Sequence, residues 1–142
     1  MEALIWAMRK KDALGEIALV ASDNQNAQGL KTAAQLGIPV FPYVSDSKIL
    51  DLKSFEKEIL HTFKANNISL ICLAGFMRIL SPQFLKLYTG KIINIHPSIL
   101  PSLKGLDTHR RALEKNLQVH GATVHEVTEK LDSGRILGQT TI

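Results

Sequence analysis

The sequence predicts an α/β fold built on an open, mainly parallel sheet with an antiparallel tail at its carboxyl end. Two observations carry this prediction. Short apolar runs typical of buried strands alternate along the chain with segments whose apolar residues repeat at helical spacing. The last two strand-like runs, at residues 121–127 and 135–142, are close enough in sequence to pair in antiparallel fashion.

The first half of the chain carries three predicted helices and two predicted strands, in the order helix 2–14, strand 17–21, helix 27–36, strand 40–44 and helix 52–66. The Ser-Asp-Asn turn at 22–24 can cap the second helix, and Gly37 can end it. Pro42 interrupts the second strand and places it toward a sheet edge. A chain of this class normally opens with a strand, whereas this one begins with a helix.

The second half carries four predicted strands and two predicted helices, in the order strand 70–74, helix 81–90, strand 91–96, helix 108–116, strand 121–127 and strand 135–142. Ser81-Pro82 is a strong helix start, and Gly90 can end that helix. Asp107 or Thr108 is expected to cap the next one. The single cysteine, Cys72, lies in an apolar run and is expected to be buried in the core.

Composition favours one soluble globular domain spanning residues 1–142, with 45% hydrophobic and 21% charged residues. The net charge of +4 is scattered along the chain, which suits anionic small molecules better than nucleic acid. No apolar stretch is long enough to cross a membrane, and no signal peptide is evident. We therefore expect a cytoplasmic protein. No Cys/His cluster has metal-ligand spacing, so no metal is predicted.

A polar interruption in the strand at residues 91–96 is the strongest functional signal. Asn94 and His96 are two positions apart, so they project from the same face, and Pro97 should end the strand beside them. In an open parallel sheet, ligands bind at this carboxyl edge. Either residue alone could merely serve the adjoining turn. Together, an amide and an imidazole can stabilise an oxyanion and supply a proton.

Two further segments could contribute to the same site. The loop after the strand at 70–74 contains Phe76, Met77, Ile79 and Leu80, which either belong to the core or line an apolar cleft for a flat heteroaromatic ligand. Asp132 lies in a glycine-containing loop and could simply form a turn. If the fold brings Asp132 to His96, it would raise the pKa of the histidine and keep it protonated near neutral pH.

Four segments taken together resemble the phosphoribosylglycinamide formyltransferase family: AGFMRILSP at 74–82, NIHPSILP at 94–101, GLDTHRRAL at 105–113 and HGATVHEVTEKLDSG at 120–134. The similarity covers essentially all 142 residues. The Asn-x-His-Pro-Ser motif alone would indicate only the wider formyltransferase group. The resemblance implies a Rossmann-like formyltransferase fold and formyl transfer from 10-formyltetrahydrofolate, a co-substrate, to the amine of glycinamide ribonucleotide in purine biosynthesis.

The resemblance also implies roles for individual residues. Asn94, His96 and Asp132 would be the catalytic trio. The pocket for the formylfolate would be formed by Met77, Arg78, Ile79, Leu80, Asn94, Thr128 and Asp132. Three other histidines, His109, His120 and His125, match positions that we interpret as structural. The implied partner is a small molecule, with no nucleic acid, membrane or metal.

The chain departs from the family pattern at both ends and within. The family begins with a strand and a phosphate-binding Gly-Ser-Asn type loop, which would precede Met1, and it continues past Ile142. We therefore expect the first strand and the carboxyl-terminal end to be missing here. Three internal departures are Arg135 in place of a common proline, Leu52 in place of a folate-contacting arginine with Lys53 adjacent, and Asp107 in place of a frequent histidine.

In the implied mechanism the amine attacks the formyl carbon, and the oxyanion forms between Asn94 and protonated His96. Asp132 helps a proton pass from the amine to the departing folate nitrogen. Two alternatives among enzymes are a formyltetrahydrofolate deformylase and a methionyl-tRNA formyltransferase-like protein. A third alternative is a truncated folate-binding remnant without catalysis.

Overall fold

The computed structural model describes residues 1–44 and 51–142. The chain divides into two compact units, Met1–Ile68 and Ser69–Ile142. The single domain expected over residues 1–142 stays a prediction. Within the described residues, no helix combines the length and the apolar character needed to cross a bilayer.

The amino-terminal unit, Met1–Ile68, contains three helices and a two-stranded parallel sheet. Its elements are α1 (Glu2–Met8), β1 (Val20–Ser22), α2 (Gln28–Gln35), β2 (Val40–Pro42) and α3 (Leu52–Ala65). The first strand is shorter than predicted because its partner begins only at Val40, so the first ladder bond runs from the Val20 N–H to the Pro39 carbonyl. The first helix also ends early, at Met8 rather than residue 14.

Local signals explain the best-predicted helix of this unit, α3. The Asp51 carboxylate accepts hydrogen bonds from the Lys53 N–H at 3.1 Å and the Ser54 hydroxyl at 2.6 Å, which caps the helix start. These bonds stabilise the ionised carboxylate and lower the pKa of Asp51. On the inner face, Phe55 and Ile59 are buried at the helical spacing that the sequence displays.

The carboxyl-terminal unit, Ser69–Ile142, contains a four-stranded mixed sheet in the order β3-β4-β5-β6. Its elements are β3 (Leu70–Leu73), α4 (Pro82–Leu87), β4 (Lys91–His96), α5 (Thr108–Glu114), β5 (Gly121–Glu126) and β6 (Ile136–Thr141). The pair β3 and β4 is parallel, whereas β4 with β5 and β5 with β6 are antiparallel. The expected antiparallel tail therefore consists of the last two strands.

One prediction about this unit is wrong, and another is confirmed only in part. Cys72 is exposed, because in β3 the Ile71 side chain takes the covered face and alternation turns the neighbouring residue outward. Asp107 is the N-cap residue of α5, but it adopts a left-handed conformation and its side chain makes no capping bond. The Thr108 hydroxyl does not cap either; it donates to the Pro97 carbonyl at 2.7 Å.

Candidate active site

Polar side chains cluster on one face of the antiparallel pair formed by β4 and β5. Asn94 lies directly opposite His125, and His96 lies directly opposite Thr123. Directly opposed residues of an antiparallel pair share a face, and so do residues two apart in one strand. The four side chains therefore occupy a single face, which the sequence predicted for Asn94 and His96 alone.

His96 is almost fully buried and has a hydrogen-bond acceptor at each ring nitrogen. Its Nε2 lies 3.0 Å from the carbonyl oxygen of Leu103, and its Nδ1 lies 3.4 Å from Oδ2 of Asp132. A carbonyl and an ionised carboxylate can only accept hydrogen bonds. Nε2 therefore donates to the Leu103 carbonyl, while Nδ1 faces the Asp132 carboxylate at ion-pair distance.

Asp132 reaches this face from the loop that follows β5. Its Oδ2 accepts a hydrogen bond from the Gly105 N–H at 2.8 Å, and its Oδ1 lies 3.6 Å from Nε2 of His125. The side chain is only 7% exposed. The carboxylate is thus shared between His96 and His125, and it is held by the backbone of a separate loop. A carboxylate buried in this way depends on the hydrogen-bond donor and the imidazoles that surround it.

Asn94 is the third member of the cluster. Its Nδ2 lies 3.3 Å from Nε2 of His125, whose other nitrogen, Nδ1, lies 2.8 Å from the carbonyl oxygen of Glu126. The structure thus brings Asn94, His96 and Asp132 to one face, and it adds His125 between the first and the last of them. The catalytic roles implied for the trio stay predictions.

The loop at residues 127–135 is tied at its base. The Glu126 N–H donates to the Arg135 carbonyl at 2.9 Å, and the Arg135 guanidinium donates to the Glu126 carboxylate at 2.7 Å. The ion pair lowers the pKa of Glu126 and raises that of Arg135. The backbone hydrogen bond and the ion pair between Glu126 and Arg135 therefore close the base of this loop.

Opposite His96 on the same sheet face, Thr123 is fully buried and joins three chain segments. Its hydroxyl donates to the Ser98 carbonyl at 2.7 Å and accepts from the Leu100 N–H at 3.0 Å. It also accepts from the Gln139 side-chain amide at 3.0 Å. These bonds anchor the segment that leaves β4 after His96, so they fix where the imidazole lies.

The residues predicted to hold the formylfolate are only partly brought together. Leu73 is paired with Asn94, so the loop that carries Met77, Arg78, Ile79 and Leu80 leaves the sheet at the same edge as the strand end at His96. In this loop Met77 and Ile79 are largely exposed, whereas Leu80 is buried. None of these four side chains contributes to the cavity described next.

A cavity of about 620 Å³ lies beside α4, against the start of β4 and the segment that follows β5. On one side it is bounded by Pro82, Gln83, Leu85, Lys86, Tyr88 and Gly90, and on the other by Ile92, Val127, Thr128 and Glu129. Its size is within the range of small-molecule sites, and its walls mix apolar surface with a few polar groups. Of the predicted folate-binding residues, only Thr128 lines it.

Among the residues that the structure describes, the remaining titratable groups give no sign of a nucleophile or a metal centre. Desolvation raises the pKa of the Cys72 thiol, which disfavours the reactive thiolate. Within residues 1–44 and 51–142, no group of three or more His, Cys, Asp and Glu side chains could hold a metal ion. The metal-free reaction predicted from the sequence stays a prediction.

His125 is the residue whose place in the site the sequence analysis missed. The family resemblance matched His125 to a position that we interpret as structural. Alternation alone shows that His125 and Thr123 share a face of β5. Only the register between β4 and β5 brings that face to Asn94 and His96, so the sequence carried no signal that could have found this contact.

Comparison with known proteins identifies the family. A sequence model described as formyl transferase matches residues 1–142. The chain belongs to the formyl transferase family. Among curated formyl transferase relatives, it is 38% identical over 142 residues to phosphoribosylglycinamide formyltransferase of Escherichia coli (strain K12). It is also 43% identical over 143 residues to the trifunctional purine biosynthetic protein adenosine-3 of Gallus gallus.

These relatives are longer than the chain. All of this chain is matched, but it spans 66% of the Escherichia coli protein and 14% of the Gallus gallus protein. A crystal structure of phosphoribosylglycinamide formyltransferase from Brucella melitensis matches with a TM-score of 0.90 and 42% identity. That match covers the whole of this chain and 72% of the other. The predicted formyl transferase fold and the family resemblance are confirmed.

Proposed function

We propose that the chain takes part in transferring a formyl group from 10-formyltetrahydrofolate to the amine of glycinamide ribonucleotide. The observation that carries this proposal is the convergence of Asn94, His96 and Asp132, with His96 Nδ1 lying 3.4 Å from the Asp132 carboxylate. The names of the formyl transferase relatives support the same reaction over deformylation of the folate or formylation of a transfer RNA.

The folate co-substrate supplies the formyl group, and the protein residues manage charge and protons. An Asn94 N–H donates to the formyl oxygen as that oxygen gains negative charge. The amine nitrogen bonds to the formyl carbon, and the bond from that carbon to the folate nitrogen breaks. Asp132 and His96 carry the proton lost by the amine to that folate nitrogen, directly or through water.

The cavity beside α4 fits a flat heteroaromatic group better than the exposed loop at Met77 does. It is bounded by Thr128 and by the apolar side chains of Leu85 and Val127. Its volume of about 620 Å³ exceeds what a bicyclic ring requires, which leaves space for the adjoining part of the co-substrate. We therefore place the ring system of the folate there. A cytoplasmic location and the absence of nucleic-acid and membrane partners stay predictions.

A matched pair of tryptophan substitutions on α4 tests this assignment in the full-length protein. Gln83 lines the cavity, whereas Leu87 is an exposed residue of the same helix outside it. Gln83→Trp should raise the KM for 10-formyltetrahydrofolate by about tenfold or more by occluding the cavity, while Leu87→Trp should leave it nearly unchanged. Equal effects of both substitutions would place the folate elsewhere.

The reaction itself is tested by analysing the products. Formylated glycinamide ribonucleotide, formed together with tetrahydrofolate, is the expected result. Release of formate without formylation of the amine would instead identify a deformylase. Tight folate binding without any turnover would support a binding remnant.

A further inference from the structure

His125 contacts two of the three proposed catalytic side chains and is itself 2% exposed. We infer that His125 is a positioning residue which orients the Asn94 amide so that an N–H, rather than the carbonyl oxygen, faces the formyl oxygen. The catalytic role of that N–H rests on the proposed function. The geometry that supports it can be tested without any activity.

The first step concerns where the His125 ring carries its proton. Nδ1 lies 2.8 Å from the carbonyl oxygen of Glu126. A carbonyl oxygen can only accept, so the Nδ1 atom must be the donor. A neutral imidazole protonated at Nδ1 presents a lone pair at Nε2. The backbone of the next residue in β5 thus selects the tautomer of His125.

The second step concerns Asn94. Its Nδ2 lies 3.3 Å from His125 Nε2, and a lone pair there attracts the amide NH₂ group and repels the amide oxygen. The contact therefore fixes which end of the Asn94 amide faces the ring. One N–H of the Asn94 amide donates to His125 Nε2. The second N–H has no acceptor among the residues that the structure describes. That second N–H is available to the formyl oxygen.

The third step concerns the other neutral tautomer of His125, which carries its proton on Nε2. A proton on Nε2 would be directed to Asp132 Oδ1 at 3.6 Å, and the ring would no longer offer a lone pair to Asn94. The amide could then turn so that its oxygen faces the ring or the substrate with nearly equal ease. A wrongly oriented donor does not stabilise developing negative charge, so the cost falls on the rate of the chemical step.

Two isosteric replacements separate orientation of Asn94 from general support of the fold. A glutamine side chain places its terminal oxygen near the position of imidazole Nε2, whereas an asparagine reaches only the Nδ1 position. In the full-length protein, His125→Asn should lower kcat by about tenfold or more, while His125→Gln should stay within about threefold of wild type. The KM for the folate should change little in either variant, because the contact acts on the transition state.

A double-mutant cycle with Asn94→Ala provides the control. If His125 acts through Asn94, then His125→Asn should lower kcat no further once the amide is gone. Losses that multiply in the double variant would overturn the inference, as would equal losses in the glutamine and asparagine variants. Thermal unfolding of each variant verifies that it is folded.

Nitrogen-15 NMR of the unsubstituted full-length protein tests the same inference when turnover is not measured. The expected spectrum shows a protonated Nδ1 and an unprotonated Nε2 for His125. A proton on Nε2 would overturn the inference whatever the activity. Absence of formyl transfer together with the expected tautomer would count against the proposed function and leave the orientation of Asn94 intact.

Discussion

Two pairs of histidines in the carboxyl-terminal unit differ in almost everything except residue type. His96 and His125 are buried on one sheet face and flank the carboxylate of Asp132 at 3.4 and 3.6 Å. His109 and His120 contact each other at the surface, with 2.9 Å between Nδ1 and Nε2. The difference shows that burial and a shared carboxylate, rather than the histidine itself, distinguish a candidate catalytic group from a surface contact.

The largest expected effect separates these two pairs by activity. Losing an oxyanion donor costs roughly a hundredfold or more in kcat, so we expect at least that loss for Asn94→Ala. His96→Ala should be at least as damaging, because it removes the proposed acid and the imidazole that faces the buried Asp132 carboxylate. His109→Ala should keep kcat within about twofold, as surface substitutions usually have small effects.

The measurement is steady-state kcat for formyl transfer in the full-length protein and its three variants. If His109→Ala lost as much activity as His96→Ala, burial beside Asp132 would not distinguish the catalytic histidine from the surface pair. Full activity of His96→Ala would refute the proton-transfer role directly.

A second, smaller effect concerns the free energy of unfolding, which should depend more on the buried sheet face around Thr123 than on the surface pair of His109 and His120. Thr123→Val keeps the shape of the side chain but leaves the Ser98 carbonyl and the Leu100 N–H without their buried partner. We expect a loss of about 1–3 kcal/mol in the free energy of unfolding. His120→Gln at the surface pair should cost less than about 0.5 kcal/mol. Urea unfolding of the full-length variants compares the two, and similar losses would contradict the expectation.

The smallest expected effect concerns the ion pair at the base of the Asp132 loop. The hydrogen bond from Arg135 lowers the pKa of Glu126 below its ordinary value of 4.5. A carboxyl whose pKa is depressed by folding contributes stability above its unfolded pKa and loses it as the pH falls through the folded value. Because both groups are solvent-accessible, screening keeps this contribution small.

Melting temperatures recorded against pH measure this contribution. Wild type should exceed Glu126→Gln above about pH 4.5, and the difference should close as the pH falls further. Arg135→Gln should remove the same pH dependence, and combining the two substitutions should add nothing. A difference that persists unchanged at low pH would show that the ion pair is not its source.

Much of the fold was predictable because its signals are local. The β-branched run at Lys91–His96 marks β4, and the Ser81-Pro82 pair marks the start of α4, where the Ser81 hydroxyl accepts from the Phe84 N–H at 3.0 Å. Features that depend on neighbours distant in sequence were not predictable. The exposure of Cys72 depends on which face of β3 is covered, which its own apolar run does not encode.

In the candidate site, too, local features were predictable and features that depend on distant segments were not. The shared face of Asn94 and His96 follows from strand alternation within one segment. The approach of Asp132 requires the loop after β5 to fold back over the sheet, and only the family resemblance implied it. The contact of His125 with Asn94 depends on the register between two strands, which a single sequence does not fix.

Gly134 restricts how the loop that carries Asp132 can vary. A Cβ atom at this position would lie 1.8 Å from the Glu126 carbonyl oxygen, closer than any real contact. Loops usually tolerate substitution better than strands do, but here every side chain is excluded because backbone, not a movable side chain, occupies the space. In a saturation mutagenesis library, position 134 should therefore accept glycine alone, while the exposed Leu131 nearby accepts many residues.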